Sequence, residues 1–200
     1  MNLPNKLTLA RLAMPLAIMP CLLITFPFSK TAALALFGLA SLTDWLDGHI
    51  ARKENLVTDF GKLMDPLADK ILVCSILICF AALYYVEDNH VHIVAPWMVV
   101  AIVSRDLVVT GLRMAGLSRG AVLGAHAIGK HKTAWQMIAI VTTLVYLILY
   151  YDLKLNELYV DFMDYFRLGA HILFWFVSIL TIISGIYYLI KYKHFYLENV

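Results

Sequence analysis

Four carboxylates in two short runs could do metal chemistry. The first run reads Asp44-Trp45-Leu46-Asp47-Gly48-His49-Ile50-Ala51-Arg52, and the second, after a gap of eight residues, Gly61-Lys62-Leu63-Met64-Asp65-Pro66-Leu67-Ala68-Asp69. Asp44 and Asp47 stand three apart and Asp65 and Asp69 four apart, so on helices each pair shares a face. If the two helices are neighbours across their short connection, all four carboxylates converge. Both runs border apolar stretches, and one Asp at mid-membrane costs roughly 2.5–3.5 kcal/mol even on a lenient insertion scale. Mutual repulsion adds to that, so protonation, a water-filled cavity or cations must neutralise the group. An all-oxygen donor set of this kind suits Mg²⁺ or Mn²⁺, and four carboxylates can hold two ions. The plainer alternative, helix-end charges solvated at an interface, does not account for pairing on both segments.

Small residues and a guanidinium share the same stretch. Gly48 lies one turn beyond Asp44 and Ala51 one turn beyond Asp47, which leaves a notch on the carboxylate face. Arg52 stands beside it with the bidentate geometry that suits a phosphate. Cations, a notch and an Arg together point to a nucleotide diphosphate.

The elements that must position these groups are apolar. Of 200 residues, 62% are hydrophobic and 15% charged, against about 45–50% and 25% in soluble domains. Three cysteines (Cys21, Cys74 and Cys79), all inside apolar runs, exclude a disulfide scaffold. A net charge of +2 is too small to imply a nucleic acid partner. Six continuous runs, at 7–28, 31–50, 63–86, 93–114, 133–151 and 168–190, have the length a spanning helix needs and lack the alternation of barrel strands. The expected fold is therefore an all-α membrane protein with six transmembrane helices in a single domain, 1–200. The first run is expected to stay attached, because Arg11 interrupts it and no small-x-small site follows. Six spans put both termini on one side. Of the 16 Lys and Arg, only Lys30, Lys154 and Arg167 fall on the opposite side and Arg105 within the fourth span. This bias places both termini, and the carboxylate cluster, at the cytoplasmic side of a cell's inner (cytoplasmic) membrane, multi-pass. The acids Asp152, Asp161 and Asp164 on the far side read as solvated charge, and Trp97, Trp135, Tyr150, Tyr151, Tyr187 and Tyr188 as an interfacial belt.

The pattern Asp-x2-Asp-Gly-x2-Ala-Arg-x8-Gly-x3-Asp-x3-Asp, filled at all eight positions from Asp44 to Asp69, resembles the signature of the CDP-alcohol phosphotransferases. Asn5, Thr8 and Arg11 resemble the opening of the branch that makes phosphatidylglycerol phosphate in bacteria. The stretches Asp65-Pro66-Leu67-Ala68-Asp69-Lys70, Ser104-Arg105-Asp106, Val109-Thr110-Gly111-Leu112-Arg113 and Gly129-Lys130-His131-Lys132-Thr133 look like that branch too. Asp106 departs from it, Glu being more usual there, as do His49 and His131. The resemblance implies transfer of the phosphatidyl group of CDP-diacylglycerol to glycerol 3-phosphate with release of CMP. It implies that Asp44, Asp47, Asp65 and Asp69 ligate two Mg²⁺ or Mn²⁺ ions, with Asp69 also the general base. Asn5, Thr8, Gly48, Ala51, Arg52 and Gly61 would contact the CDP moiety. A homodimer is common in that family.

A glycerol 3-phosphate acceptor needs cations for its phosphate. Arg105 lies inside the fourth span, Arg113 at its inner end, and Lys130 and Lys132 at the start of the fifth. An intramembrane Arg faces a cavity or a partner, so pairing of Arg105 with Asp106 or the carboxylate cluster is the structural alternative, and both roles can coexist. Arg113, Lys130 and Lys132 also read as plain positive-inside charges. Cations beside carboxylates favour an anionic acceptor over choline or ethanolamine. The competing readings are a relative using serine, inositol phosphate or phosphatidylglycerol as acceptor, and a cation transporter with the four Asp residues as its ion path.

Overall fold

The computed structural model describes residues 3–53, 59–86, 93–118 and 127–193. Six α-helices follow in order: α1 (Leu3–Leu23), α2 (Ser29–Lys53), α3 (Asp59–Val86), α4 (Pro96–Ser118), α5 (Ala127–Leu147) and α6 (Val160–Lys191). A π-helical turn (Ile148–Asp152) and a 3-10 turn (Leu155–Glu157) join the last two. The all-helical expectation holds. By length and composition, two of the described helical segments, His131–Asp152 and Val160–Lys191, are able to cross a membrane.

Principal contacts among the described residues make a closed cycle of neighbours: α1 with α2, α2 with α5, α5 with α6, α6 with α4, α4 with α3, and α3 back to α1. α1 thus lies against both α2 and α3, whose direct contact is minor among the described residues. Inside the cycle, Leu72, Ile76, Leu77, Met98, Ile102, Ile140, Leu144 and Phe174 form one buried cluster. Phe80 meets Phe174 edge to face, centroids 6.4 Å apart. Pro15 and Pro20 sit within α1. The last carbonyls of this helix lack intrahelical donors, as at any helix end.

Those carbonyls receive a side chain that the charge pattern alone places in solvent. Lys30 is 1% exposed, and its Nζ donates to the carbonyls of Leu22 (2.6 Å), Cys21 (3.3 Å) and Ile24 (3.4 Å). Its ammonium also lies over the Tyr151 ring, 5.1 Å from the centroid. Asp152 is likewise no plain solvated charge. Its carboxylate accepts from the Thr31 amide (2.7 Å), the Thr31 hydroxyl (2.7 Å) and the Lys30 amide (3.4 Å), capping α2 from another part of the chain. The wider π turn, closed by Leu153 N–H to the Ile148 carbonyl (3.0 Å), delivers Asp152 to that position.

Helix ends depart from the hydropathy boundaries in both directions: α1 stops at Leu23 rather than 28, and α4 begins at Pro96 rather than 93 but runs on to Ser118. α6 begins at Val160 rather than 168, with Asp161 in its first turn where a carboxylate is favoured, and Arg167 meets Asp164 at 3.3 Å one turn away. α4 starts on Pro96, a first-turn position that needs no amide. On α6, His171 is held from both sides. Trp175 Nε1 donates to Nε2 (3.0 Å), so the ring must be the tautomer whose Nδ1–H donates to the Ile93 carbonyl (2.7 Å).

Asp152→Ala should cost about 1–2 kcal/mol, the usual loss for a helix cap, and Asp152→Asn less, because an acceptor oxygen remains. Thermal unfolding of the detergent-solubilised protein, followed by circular dichroism, checks this ordering.

Candidate functional site

The antiparallel course brings the start of α3, the end of α4, the start of α5 and the end of α6 to one end of the bundle. There a cavity of about 390 Å³ opens between three helices. Lys70 of α3, Arg105, Asp106, Thr110 and Arg113 of α4, and Gly129 and Thr133 of α5 are among its lining residues.

One carboxylate organises the cations around it. Asp106 is 3% exposed. Its Oδ1 accepts from Lys132 Nζ at 2.6 Å and from Arg105 Nη1 at 3.1 Å, while Lys70 Nζ stands 3.9 Å from Oδ2. Lys132 is fully buried and does not line the cavity, so it acts on Asp106 rather than facing a ligand directly. Arg105 therefore has the Asp106 partner considered as its structural alternative, and it also lines the cavity. Arg113 lies over the Tyr188 ring, its guanidinium carbon 5.6 Å from the centroid. The Nε atoms of both arginines are buried without a hydrogen-bond partner. Among the described residues, three cations and one carboxylate line this space, and their surplus positive charge suits an anion.

Lys70 joins this cavity to the carboxylate motif. Its Nζ lies 3.6 Å from Asp69 Oδ2, outside hydrogen-bonding distance, and 3.9 Å from Asp106. The Asp69 side chain keeps 44% of its surface accessible, so a ligand can reach it. A hard, oxygen-seeking divalent cation fits that donor. The backbones at 44, 47, 48, 51 and 52 run in the last turns of α2, and those at 61 and 65 in the first turns of α3. The side chains of Asn5, Thr8, Asp44, Asp47, Ala51, Arg52, Asp65 and Lys130, and the surroundings of Gly48 and Gly61, lie outside the described residues. Arg11, matched to the family opening, is 1% exposed.

Three residues escaped the sequence reading. Lys70 counts there as an inner-side charge and as the last residue of a family-like stretch, with no role in the site, although its place next to Asp69 is a usable signal. Tyr188 reads as interfacial belt but is 3% exposed, under Arg113. Gly185, on the same helix, gave no signal at all. Trp97, Trp135 and Tyr187 are exposed at 40–44%, as a belt requires.

The family model for CDP-alcohol phosphatidyltransferases matches residues 1–187, and the chain belongs to that family. It is 42% identical over 157 residues to the CDP-diacylglycerol–glycerol-3-phosphate 3-phosphatidyltransferase of Bacillus subtilis (strain 168), covering 72% of this chain and 77% of that protein. A protein of the same name from Rickettsia bellii (strain RML369-C) is 34% identical over 199 residues, 98% of this chain and 97% of its own. A cardiolipin synthase (CMP-forming) of Oryza sativa subsp. japonica is 37% identical over 156 residues, 70% of this chain and 44% of the relative.

Removing one partner of the buried Asp106–Lys132 pair should be worse than removing both. Asp106→Leu alone strands the Lys132 ammonium and should cost about 3–5 kcal/mol, whereas Asp106→Leu with Lys132→Met should recover only part of it, because Arg105 and Lys70 still lose the carboxylate. A thermal-unfolding double-mutant cycle measures the coupling.

Proposed function

We propose that this chain transfers the phosphatidyl group of CDP-diacylglycerol to sn-glycerol 3-phosphate, giving phosphatidylglycerol phosphate and CMP. The observation that carries this reading is Lys70, which stands between Asp69 of the signature and the cation-lined cavity. A donor site and a pocket for an anionic acceptor thus share one wall. In this reading Asn5, Thr8, Gly48, Ala51, Arg52 and Gly61 hold the CDP moiety. Arg105, Arg113 and Lys130 face the acceptor phosphate, and Lys132 serves that group through Asp106. The primary hydroxyl of glycerol 3-phosphate forms a bond to the lipid-bearing phosphorus, the bond from that phosphorus to the CMP oxygen breaks, and the hydroxyl proton passes to Asp69. Asp44, Asp47, Asp65 and Asp69 would hold two Mg²⁺ or Mn²⁺ ions, which offset charge on the phosphates when bound. Asp69 then sits where a base must, at the boundary between donor and acceptor.

The chain is proposed to be one six-span domain, 1–200, multi-pass in the cytoplasmic membrane, with both termini and the site on the cytoplasmic side. The described cations of the cavity gather at the bundle end that the positive-inside bias assigns to the cytoplasm. Membrane lipid surrounds it and a homodimer is its proposed assembly. The likeness to a cardiolipin synthase makes phosphatidylglycerol the second acceptor to test, since it too presents a phosphate.

CMP release by the purified protein, given CDP-diacylglycerol, Mg²⁺ and one acceptor at a time, decides between these readings. Glycerol 3-phosphate should be used best and glycerol very poorly, because without a phosphate the cations stay unpaired. Equal use of the two, or better use of phosphatidylglycerol, would overturn the assignment. Asp44→Asn and Asp65→Asn should each lower CMP release by about a hundredfold or more. EDTA should abolish it and added Mg²⁺ restore it. Arg113→Ala should raise KM for glycerol 3-phosphate by about tenfold or more, the worth of one charge-assisted hydrogen bond, with little change for CDP-diacylglycerol.

A further inference from the structure

We propose that the end of α6 sets acceptor specificity from outside the pocket, with Gly185 and Tyr188 as positioning residues for Arg105 and Arg113. This rests on the acceptor reading above and adds to it a helix that carries no residue of the signature. The cavity is lined by α3, α4 and α5, yet both arginines lean on α6 behind it.

Gly185 is buried, and a Cβ placed on it would lie 2.9 Å from Arg105 Cγ and 3.8 Å from its Cβ. The atom that would have to yield is near the root of the side chain, not at its flexible tip. Relief therefore requires a new Arg105 rotamer or a shift of α4 against α6. On the far side Arg105 Nη2 passes Gly129 of α5, where a Cβ would meet it at an ordinary 3.6 Å. The guanidinium is thus aimed by three constraints: the missing side chain at 185, the surface of α5, and the 3.1 Å bond from Nη1 to Asp106. Three residues on, Tyr188 lies 3% exposed with its ring under Arg113 at 5.6 Å. Residues three apart share a helix face, so one face of α6 supports both cations. A cation held over an aromatic ring is attracted without using up its N–H donors, which stay available for a ligand.

A brace of this kind acts on substrates unequally. It matters for an acceptor that carries a phosphate and not for the CDP moiety, assigned to other residues, or for an acceptor without a phosphate. Packing alone, in contrast, would change stability and leave the ratio of the two substrates' KM values untouched. Ser184 supplies the control, being a buried neighbour on α6 whose hydroxyl donates to the Thr181 carbonyl at 3.0 Å.

The experiment is steady-state kinetics of the full-length purified protein with glycerol 3-phosphate, glycerol and CDP-diacylglycerol, each varied in turn, with melting temperature recorded for every variant. Gly185→Ala and Tyr188→Leu should each raise KM for glycerol 3-phosphate by about five- to tenfold, the scale of one partly buried cation–π contact. KM for CDP-diacylglycerol should stay within about twofold, and preference for glycerol 3-phosphate over glycerol should shrink by the same factor. Tyr188→Phe, which keeps the ring, should restore wild-type KM, and Ser184→Ala should change neither KM. Unchanged KM in Gly185→Ala and Tyr188→Leu, equal loss for both substrates, or a Tyr188→Phe protein as impaired as Tyr188→Leu would overturn the brace alone. A wild-type protein that does not use glycerol 3-phosphate would overturn the acceptor reading and the brace with it. If Gly185→Ala fails to accumulate as folded protein, the Leu and Phe variants at position 188 decide.

Discussion

A single buried carboxylate holds the charged end of the bundle together. Asp106 gathers Lys132 from α5, Arg105 from its own helix and Lys70 from α3, at 2.6, 3.1 and 3.9 Å. None of these cations could be buried alone, since an unpaired charge in an apolar interior costs several kcal/mol. Together they still carry more positive charge than Asp106 cancels. That surplus is the physical basis of the pocket. It is tolerable without a ligand because the cavity is open, and favourable with one because an anion completes the neutralisation.

The two ends of the bundle solve the same problem differently. Opposite the cavity, charges are spent on backbone groups: Lys30 on the last carbonyls of α1, Asp152 on the first amides of α2. Both satisfy groups that every helix end leaves open. At the cavity end the charges face one another and a void. Helix extension makes that possible. α2, α3 and α5 run beyond their apolar stretches there, to Lys53, from Asp59 and from Ala127, so charged residues ride on rigid helical turns rather than loops.

How much was legible follows from what each residue needed from its neighbours. Helix number, order and approximate centres could be read from hydropathy, because long apolar runs leave few alternatives. The Asp motif could be read because spacing on one helix is a local property. Arg105 could be flagged because an arginine in an apolar run must have a partner, and Asp106 beside it was an evident candidate. Helix ends could not be placed, since charges at 161, 164 and 167 look like a loop to a hydropathy count yet fit an amphipathic first turn. Lys30 and Asp152 were read as solvent charges, because their partners are backbone atoms of other segments, invisible in side-chain chemistry. Tyr188 and Gly185 were missed for a related reason: their importance lies in which helix faces them, and the α4–α6 neighbourhood is a fact of tertiary topology.

That neighbourhood bears on the proposed division of labour. A transferase joining a membrane-bound donor to a water-soluble phosphate must admit one substrate from the lipid side and the other from the aqueous end. The carboxylate motif runs along α2 and α3, the cations proposed for the acceptor along α4 and α5, and Lys70 stands at the seam. α6 contributes nothing to the cavity lining and much of its surface is apolar and exposed, with Ile172, Ile179, Ile183 and Ile186 each more than two-fifths accessible. Its lipid-facing side and its arginine-bracing side therefore belong to one rigid rod. Residues on one face can answer to hydrocarbon while Gly185 and Tyr188 on the other answer to charge, because a helix keeps its two faces in fixed register. In the proposed arrangement acceptor choice answers to the buried face of α6, a helix that carries none of the four motif carboxylates.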